Sequence, residues 1–362
     1  MEGGRGNTEG NIKRDTSGSR RENRTENGEV KIAVLGGGSW GTALSVLLDG
    51  RGQQVSMWEF FDERARAMKE TRENKAMLPG IEIPESVTVT SDMAEAIPGA
   101  DIVLLVVPSH VLRDTVRAAA LLMKGNETVV VATKGVEQKT LMRMSEIVEE
   151  VGGVPQDRIA VLVGPSHAEE VARELPTAIV SSSLNEETAR YVQQNFATPM
   201  FRVYTNTDIV GVEIGVAVKN VIAIAAGITD GLGFGDNTKG ALLTRGLAEI
   251  TRLGVKMGAR QQTFAGLAGI GDLITTCTSQ HSRNRFVGQE LGKGRKLKEI
   301  LDGMVMIAEG VKTTRSAVGL AGKYDVEMPI SEEVNKILFE DKSPKEAIKD
   351  LMLRSPKPEV WW

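Results

Sequence analysis

From Val30 onward, short apolar runs alternate with segments whose apolar residues recur at helical spacing. Residues 31–35 (KIAVL) read as a strand, and residues 39–49 as a helix that ends near Gly50. Residues 54–59 read as a second strand, and 62–70 as a charged surface helix. Residues 101–107 (DIVLLVV) are nearly all apolar, as a strand covered on both faces must be. Pro108 stops that run, and 109–122 follow as a helix. Strands at 127–133 and 158–163 flank a helix near 140–151. Two later, shorter strands, 177–182 and 201–205, surround a helix at 185–196. Strands and helices alternating at this spacing predict an α/β fold with a doubly wound, mostly parallel sheet of Rossmann type.

After Asp208 the strand pattern stops. Helical runs at about 209–227, 239–256, 282–291, 310–323, 331–339 and 344–353 predict an all-helical C-terminal domain. The expected organisation is a Rossmann-type domain over residues 30–206 and a helical substrate and catalytic domain over 207–362. Residues 1–29 carry only Met1 and Ile12 as apolar side chains, too few to offset the ordering entropy, so a disordered extension is expected there. That segment lacks the apolar stretch of a secretory signal.

Composition narrows the classes. The chain has 362 residues, 41% of them hydrophobic, enough for a sizeable core and two domains. A net charge of -4 without a long basic block argues against nucleic acid as a partner. The single cysteine, Cys277, rules out a disulfide within the chain and suits a reducing, cytoplasmic compartment. No 18-residue apolar run is present, so no membrane span is expected. The size is compatible with a symmetric homodimer.

The first candidate chemistry is a turn. Gly36, Gly38 and Gly41 in GGGSWG match GxGxxG between a strand and a helix. The first glycine allows the tight turn, the second lets the backbone approach a pyrophosphate, and the third lets helix and strand pack closely. The fingerprint also calls for a group at the end of the second strand, where Glu59 stands before Phe60 and Phe61. A carboxylate there accepts from ribose hydroxyls and repels a 2′-phosphate, which favours NAD(H) over NADP(H). The alternative is a solvated strand-end glutamate. Arg64 on the following helix argues the other way, since it could reach a 2′-phosphate.

Hydride transfer to a carbonyl also needs a proton donor and stabilisation of developing charge. Lys134 follows a predicted strand, where such sheets put their ligands. Lys219 sits in an otherwise apolar helix (VAVKNVIA). There it is either a desolvated lysine with a depressed pKa or a helix-edge lysine that snorkels to water. Asp272, in GIGDL, is placed to pair with it. Ser282-Arg283-Asn284 starts a helix, and Arg283 there is either a phosphate clamp or part of a serine-capped polar surface. Cys277 reads as a packed thiol rather than a partner of His281. His110, His167 and His281 are too scattered to suggest a metal site. Residues 304–307 (MVMI) read as core.

Together GGGSWGTAL, TKGVE, VGPSHAEEV, the long run from Phe201 to Gly233, GLAGIGDLITTCTSQHSRN and EGVKTT resemble the bacterial-type NAD(P)-dependent glycerol-3-phosphate dehydrogenase family over nearly the whole chain after Val30. The resemblance implies reversible reduction of dihydroxyacetone phosphate to sn-glycerol 3-phosphate, in support of glycerophospholipid synthesis. It implies that Ser39, Trp40, Ala168, Ile307 and Glu309 contact the cofactor, along with Phe60 and Phe61 and the three glycines. Lys134 and Arg283 would touch both cofactor and substrate. Gly164, Ser166, Asn220, Asp272, Thr276, Ser282 and Asn284 would line the substrate site, with Lys219 as the catalytic lysine. Ile307 stands where valine is common. Phe60 and Phe61 stand where the family often has histidine or arginine suited to a 2′-phosphate.

Two rivals are set aside on local features. A β-hydroxyacid dehydrogenase places its lysine in G-x-x-x-K-x-x-N, but here Asn220 follows Lys219 at once and Ile222 takes the asparagine position. A non-catalytic dinucleotide sensor would not need Lys219, Asp272 and Arg283 together.

Overall fold

A computed structural model describes residues 29–304 and 306–359. The extension expected over 1–29 lies, except for Glu29, outside them. Eight strands form one sheet: β1 (Lys31–Leu35), β2 (Gln54–Trp58), β3 (Thr88–Thr90), β4 (Ile102–Leu105), β5 (Thr128–Val131), β6 (Ile159–Val163), β7 (Thr177–Ser182) and β8 (Phe201–Asn206). Their spatial order is β3-β2-β1-β4-β5-β6-β7-β8, parallel throughout except for the β6–β7 pair. Successive residues of β4 enter different cores. Val103 and Leu105 pack on one face and Ile102 and Leu104 on the other. Burial on both faces is why the sequence shows an uninterrupted apolar run there.

The doubly wound Rossmann-type sheet and the helical region after it match the expected fold class. Several details differ, three of them in the elements the pattern does predict. The late strands β7 and β8 are the longest, with six residues each, rather than short. The helix expected from 109 begins as a 3₁₀ turn at Ser109–Val111 and becomes α-helical over Leu112–Ala120. The helix expected from 239 already starts at Asp236.

The helix Ile209–Gly231 organises the rest. Asp208 caps it, its Oδ1 accepting from Gly211 N at 2.9 Å. Its first turns carry Ile209, Val212 and Val216 into the core under the sheet, and later Val218, Val221 and Ile222 join the helical core. Glu213 ties it to the first region, accepting from Ser145 N at 2.9 Å and pairing with Arg143 at 2.5 Å. By length and composition this helix could cross a membrane, although no uninterrupted apolar run of that length marks it in the sequence. Here 94% of its most apolar window is buried inside the protein, so the apolar sequence is accounted for by packing.

The helix Arg283–Gly292 lies against it at glycine contacts. A Cβ on Gly227 would sit 2.0 Å from Arg285 O, and one on Gly288 2.0 Å from Ile224 O. Backbones that close hold Asn284 beside Asn220, so this packing positions part of the site described next.

Candidate active site

The crevice lies beyond the C-terminal ends of β1, β4, β5 and β6, around the point where the strand order reverses between β1 and β4. At the end of β1, Gly36 adopts φ +127°, and its N–H donates to Trp58 O at 3.0 Å. A Cβ at Gly41 would lie 1.8 Å from Gly36 O, so only glycine lets the helix Ser39–Gly50 start this close to the turn. A Cβ at Gly38 would meet nothing within 4 Å. No side chain caps the helix, so its first N–H groups and dipole are left for an anion. Asn74 braces the turn, donating to Gly37 O at 2.8 Å and Thr42 Oγ1 at 2.9 Å. These features fit a dinucleotide pyrophosphate. Ser39 and Trp40 are half-buried at the helix start, and Trp40 packs with the small cluster of Ala43, Leu78 and Ala168.

Glu59 is not solvated. It is 3% exposed, and its Oε1 accepts from Phe61 N at 3.1 Å and pairs with Arg64 at 2.6 Å. The Arg64 guanidinium also lies over the Phe61 ring, 4.1 Å from its centroid. Phe60 and Phe61 are exposed and meet edge to face at 5.0 Å. Arg64, the cation within reach of this strand end, is thus already paired and stacked.

Beyond the ends of β5 and β6 lies a buried charge cluster. Lys219, from the helix Ile209–Gly231, places Nζ 2.8 Å from Asp272 Oδ1 and also donates to Thr276 Oγ1. The other carboxylate oxygen, Oδ2, accepts from Lys134 Nζ at 3.0 Å, and Lys134 also donates to Gly164 O at 2.9 Å. Ser166 Oγ donates to the same carbonyl at 3.0 Å. Lys219 is 3% exposed, so it does not snorkel. Burial pushes its pKa down, Asp272 pulls it back up, and the result is about 8. Burial alone would raise Asp272, but Lys134 and Lys219 outweigh that and hold its carboxyl below the ordinary value. The cluster therefore pairs one carboxylate with two ammonium groups, one of them near neutrality.

Further residues adjoin it. Asn284 Nδ2 donates to Asn220 Oδ1 at 2.9 Å, and Asn284 Oδ1 accepts from Gly310 N at 2.9 Å. Ser282 caps the helix Arg283–Gly292, accepting from Arg285 N at 3.2 Å. Arg283, the first residue of that helix, is exposed to solvent. Loss of hydration on its protein-facing sides lowers its pKa against the attraction of Glu309 and Glu169. Glu309 reaches across to the loop after β4, its Oε2 accepting from Ser109 Oγ at 2.5 Å and its Oε1 from Ser109 N at 3.2 Å. Ile307, expected in a core stretch, is 39% exposed instead, while Met304 does pack on the helical core; Val305 lies outside the described residues. Cys277 is a buried free thiol, its pKa pushed up to about 12 by desolvation, too high for a nucleophile.

Sequence reasoning missed Ser109. Its only signal was position, directly after Pro108 at the end of an apolar strand. The His167 ring rests against His281, with centroids 5.6 Å apart.

Residues 31–189 match the family pattern described as NAD-dependent glycerol-3-phosphate dehydrogenase N-terminus, and residues 208–349 that of its C-terminus. A protein of Pelotomaculum thermopropionicum named glycerol-3-phosphate dehydrogenase (NAD(P)+) is 52% identical over 331 residues, covering 91% of this chain and 95% of that one. A protein of the same name from Chlorobium phaeobacteroides is 49% identical over 332 residues, covering 91% and 99%. The crystal structure of glycerol-3-phosphate dehydrogenase from Coxiella burnetii superimposes with a TM-score of 0.86 at 39% identity, covering 90% of this chain and 99% of that one.

Proposed function

The chain belongs to the NAD-dependent glycerol-3-phosphate dehydrogenase family, and from that premise we propose that it reversibly reduces dihydroxyacetone phosphate to sn-glycerol 3-phosphate with Lys219 as its acid–base group. It is an NAD(P)-dependent oxidoreductase. The observation that carries the mechanism is the buried lysine sharing one carboxylate with a second lysine.

A bound dinucleotide would be held at the glycine turn, with the uncapped helix start at Ser39 and Trp40 offering N–H groups to its pyrophosphate. Ala168, Phe60, Phe61, Ile307 and Glu309 would complete its surroundings. When bound, the nicotinamide supplies the hydride that adds to C2. Lys219 donates a proton or a strong hydrogen bond to the C2 oxygen as negative charge develops there. In the reverse direction the neutral lysine takes the proton from the C2 hydroxyl. Asp272 holds the Lys219 ammonium in place and keeps its pKa from falling further. Lys134, fixed by Asp272 and Gly164 O, adds positive charge beside the reacting carbon. Arg283, Asn284 and Ser282 hold the substrate phosphate, with Ser166, Thr276 and Asn220 lining the rest.

The Glu59–Arg64 pair supports a preference for NADH. A paired, stacked arginine offers little net charge to a 2′-phosphate, and Glu59 repels one. The buried free thiol at Cys277 suits a cytoplasmic enzyme, and its product suits supply of glycerophospholipid synthesis. A symmetric homodimer is the proposed assembly.

The test is steady-state reduction of dihydroxyacetone phosphate with NADH and NADPH in parallel. Turnover that favours NADH supports both the reaction and the cofactor reading. Turnover that favours NADPH keeps the reaction and overturns the cofactor reading. No turnover with either overturns the reaction.

A further inference from the structure

The loop after β4 runs along the crevice from one candidate device to the other. At its start it touches the glycine turn: a Cβ on Gly36 would lie 3.0 Å from both Val106 C and Val107 N. Thr133 Oγ1 then laces it to the loop after β5, donating to Val107 O at 2.7 Å. At Ser109 it meets Gly135, the neighbour of Lys134, where a Cβ would lie 2.7 Å from Ser109 Cβ and 3.0 Å from Ser109 Oγ. Ser109 is 5% exposed, and the proposed reaction gives it no part.

Ser109 engages both oxygens of one carboxylate. Its N–H donates to Glu309 Oε1 at 3.2 Å and its Oγ to Glu309 Oε2 at 2.5 Å. The backbone beyond Glu309 is fixed as well, since Gly310 N donates to Asn284 Oδ1 at 2.9 Å. Glu309 is thus held at both ends, by the helical region at its backbone and by the sheet region at its carboxylate. A carboxylate accepts about four hydrogen bonds, and Ser109 takes two. Glu309 is only partly buried, so it keeps acceptor capacity on its open side.

The chemistry of the place says what that capacity suits. In the proposed reaction Lys134 stands beside the reacting carbon, so Glu309 is held near the nicotinamide end of the crevice. A dinucleotide is anionic at its pyrophosphate, but its nicotinamide half offers neutral donors, ribose hydroxyls and a carboxamide N–H. A carboxylate fixed in advance receives such donors without losing rotamer freedom on binding.

We propose that Ser109 is a positioning residue for the cofactor, fixing the Glu309 carboxylate as the acceptor for a hydroxyl or amide donor on the nicotinamide half. The inference rests on the reading of Glu309 as a cofactor contact. It makes the bond between the two regions part of the cofactor site.

The experiment measures Kd for NADH and for ADP, without substrate, in wild type, Ser109→Ala, Glu309→Ala and the double variant, together with thermal unfolding. ADP keeps the adenosine and two phosphates and lacks the nicotinamide half. Ser109→Ala should raise the Kd for NADH roughly three- to tenfold, the size of one ordinary hydrogen bond. Glu309→Ala should raise it roughly ten- to a hundredfold, as for a hydrogen bond to a charged group. The double variant should bind NADH no more weakly than Glu309→Ala, because Ser109 acts through that carboxylate. All four should bind ADP alike. An unchanged Kd for NADH in Ser109→Ala overturns the positioning role, whatever happens to the melting temperature. Equal losses for NADH and ADP overturn it in favour of a general disturbance of the crevice. Losses that multiply in the double variant show Ser109 acting apart from Glu309 and overturn it too. An unchanged Kd in Glu309→Ala overturns the reading of Glu309 as a cofactor contact and this inference with it. Because NADH binding is read without turnover, failure of the proposed reaction would show separately, as a wild type that binds NADH and does not reduce dihydroxyacetone phosphate.

Discussion

The glycine turn after β1 and the charge cluster under Lys219 meet one problem, holding negative charge, by opposite means. The turn removes side chains. Gly41 admits a backbone contact that any Cβ would block, Gly38 leaves open space, and the groups offered to the ligand are helix N–H donors. The cluster buries side chains. Lys219 and Asp272 are 3% and 2% exposed, and the cost of burying their charges is offset by ion pairing within the cluster, which includes Lys134. The first device needs three glycines at fixed spacing within one segment. The second needs residues from the loop after β5, the helix Ile209–Gly231 and the helix Asp272–Thr278 to converge. A backbone device is cheap in stability and local in sequence. A buried ionic device is costly and depends on the whole fold.

The sharpest way to break this comparison is at the cluster. Lys219→Ala should lower kcat by roughly a hundred- to ten-thousandfold, the range for losing a positioned acid–base group. Asp272 keeps Lys134 at 3.0 Å, so the fold and NADH affinity should survive. Near-normal turnover in a folded Lys219→Ala protein would sink the assignment. Asp272→Asn should do less to the chemistry and more to the fold. It leaves two ammonium groups without their counter-charge, at a cost of about 3–5 kcal/mol measurable by denaturant unfolding. It should also move the pH profile. With Lys219 in its proposed acid role, the rate of ketone reduction by wild type should fall as pH rises through about 8, and that of alcohol oxidation should rise over the same interval. Asp272 is what raises the lysine pKa against burial, so in Asp272→Asn both limbs should shift to lower pH. Limbs that stay put would mean that Lys219 is not the titrating group.

The turn should respond in a contrasting way. Gly41→Ala pushes a Cβ into Gly36 O and should lower the melting temperature, with a cost of about 1–3 kcal/mol for overpacking, and weaken NADH with it. Gly38→Ala has room in the free protein and should leave the melting temperature alone while still raising the Kd for NADH. If Gly38→Ala binds NADH as wild type does, the pyrophosphate does not approach that backbone.

The same contrast explains what could be read from the chain. The sheet was legible because strands buried on both faces leave apolar runs such as Ile102–Leu105, and the turn because its spacing is local. β3 escaped notice because Thr88–Thr90 is three residues long with polar ends. The helix Asp272–Thr278 did too, since it follows an irregular π turn containing Gly269 and is rich in threonine. Lys219 stayed ambiguous because one lysine in an apolar helix suits either snorkelling or burial. The deciding partner sits on another helix, 2.8 Å away only after folding. The Ser109–Glu309 bond joins the loop after β4 to the start of the helix Glu309–Tyr324, and no local pattern announces such a pair.

The smallest expected effect lies where the two devices meet, at the end of β2. Glu59 is a buried charge like Asp272, yet it serves the backbone turn, packed so close to Gly37 that a Cβ there would lie 2.7 Å from Glu59 Oε2. Its partner Arg64 is about one-third exposed, so the 2.6 Å pair is screened on one side. Glu59→Gln removes the charge that occupies Arg64 and repels a 2′-phosphate, while keeping the side-chain volume. The guanidinium, still stacked on Phe61, then becomes available as a cation. The ratio of kcat/KM for NADPH over NADH should rise several-fold, mainly through the KM for NADPH. Arg64→Ala in the same background should remove the gain. A ratio unchanged by Glu59→Gln would mean that cofactor choice is made elsewhere, with Phe60 and Phe61 as the next residues to exchange for basic ones.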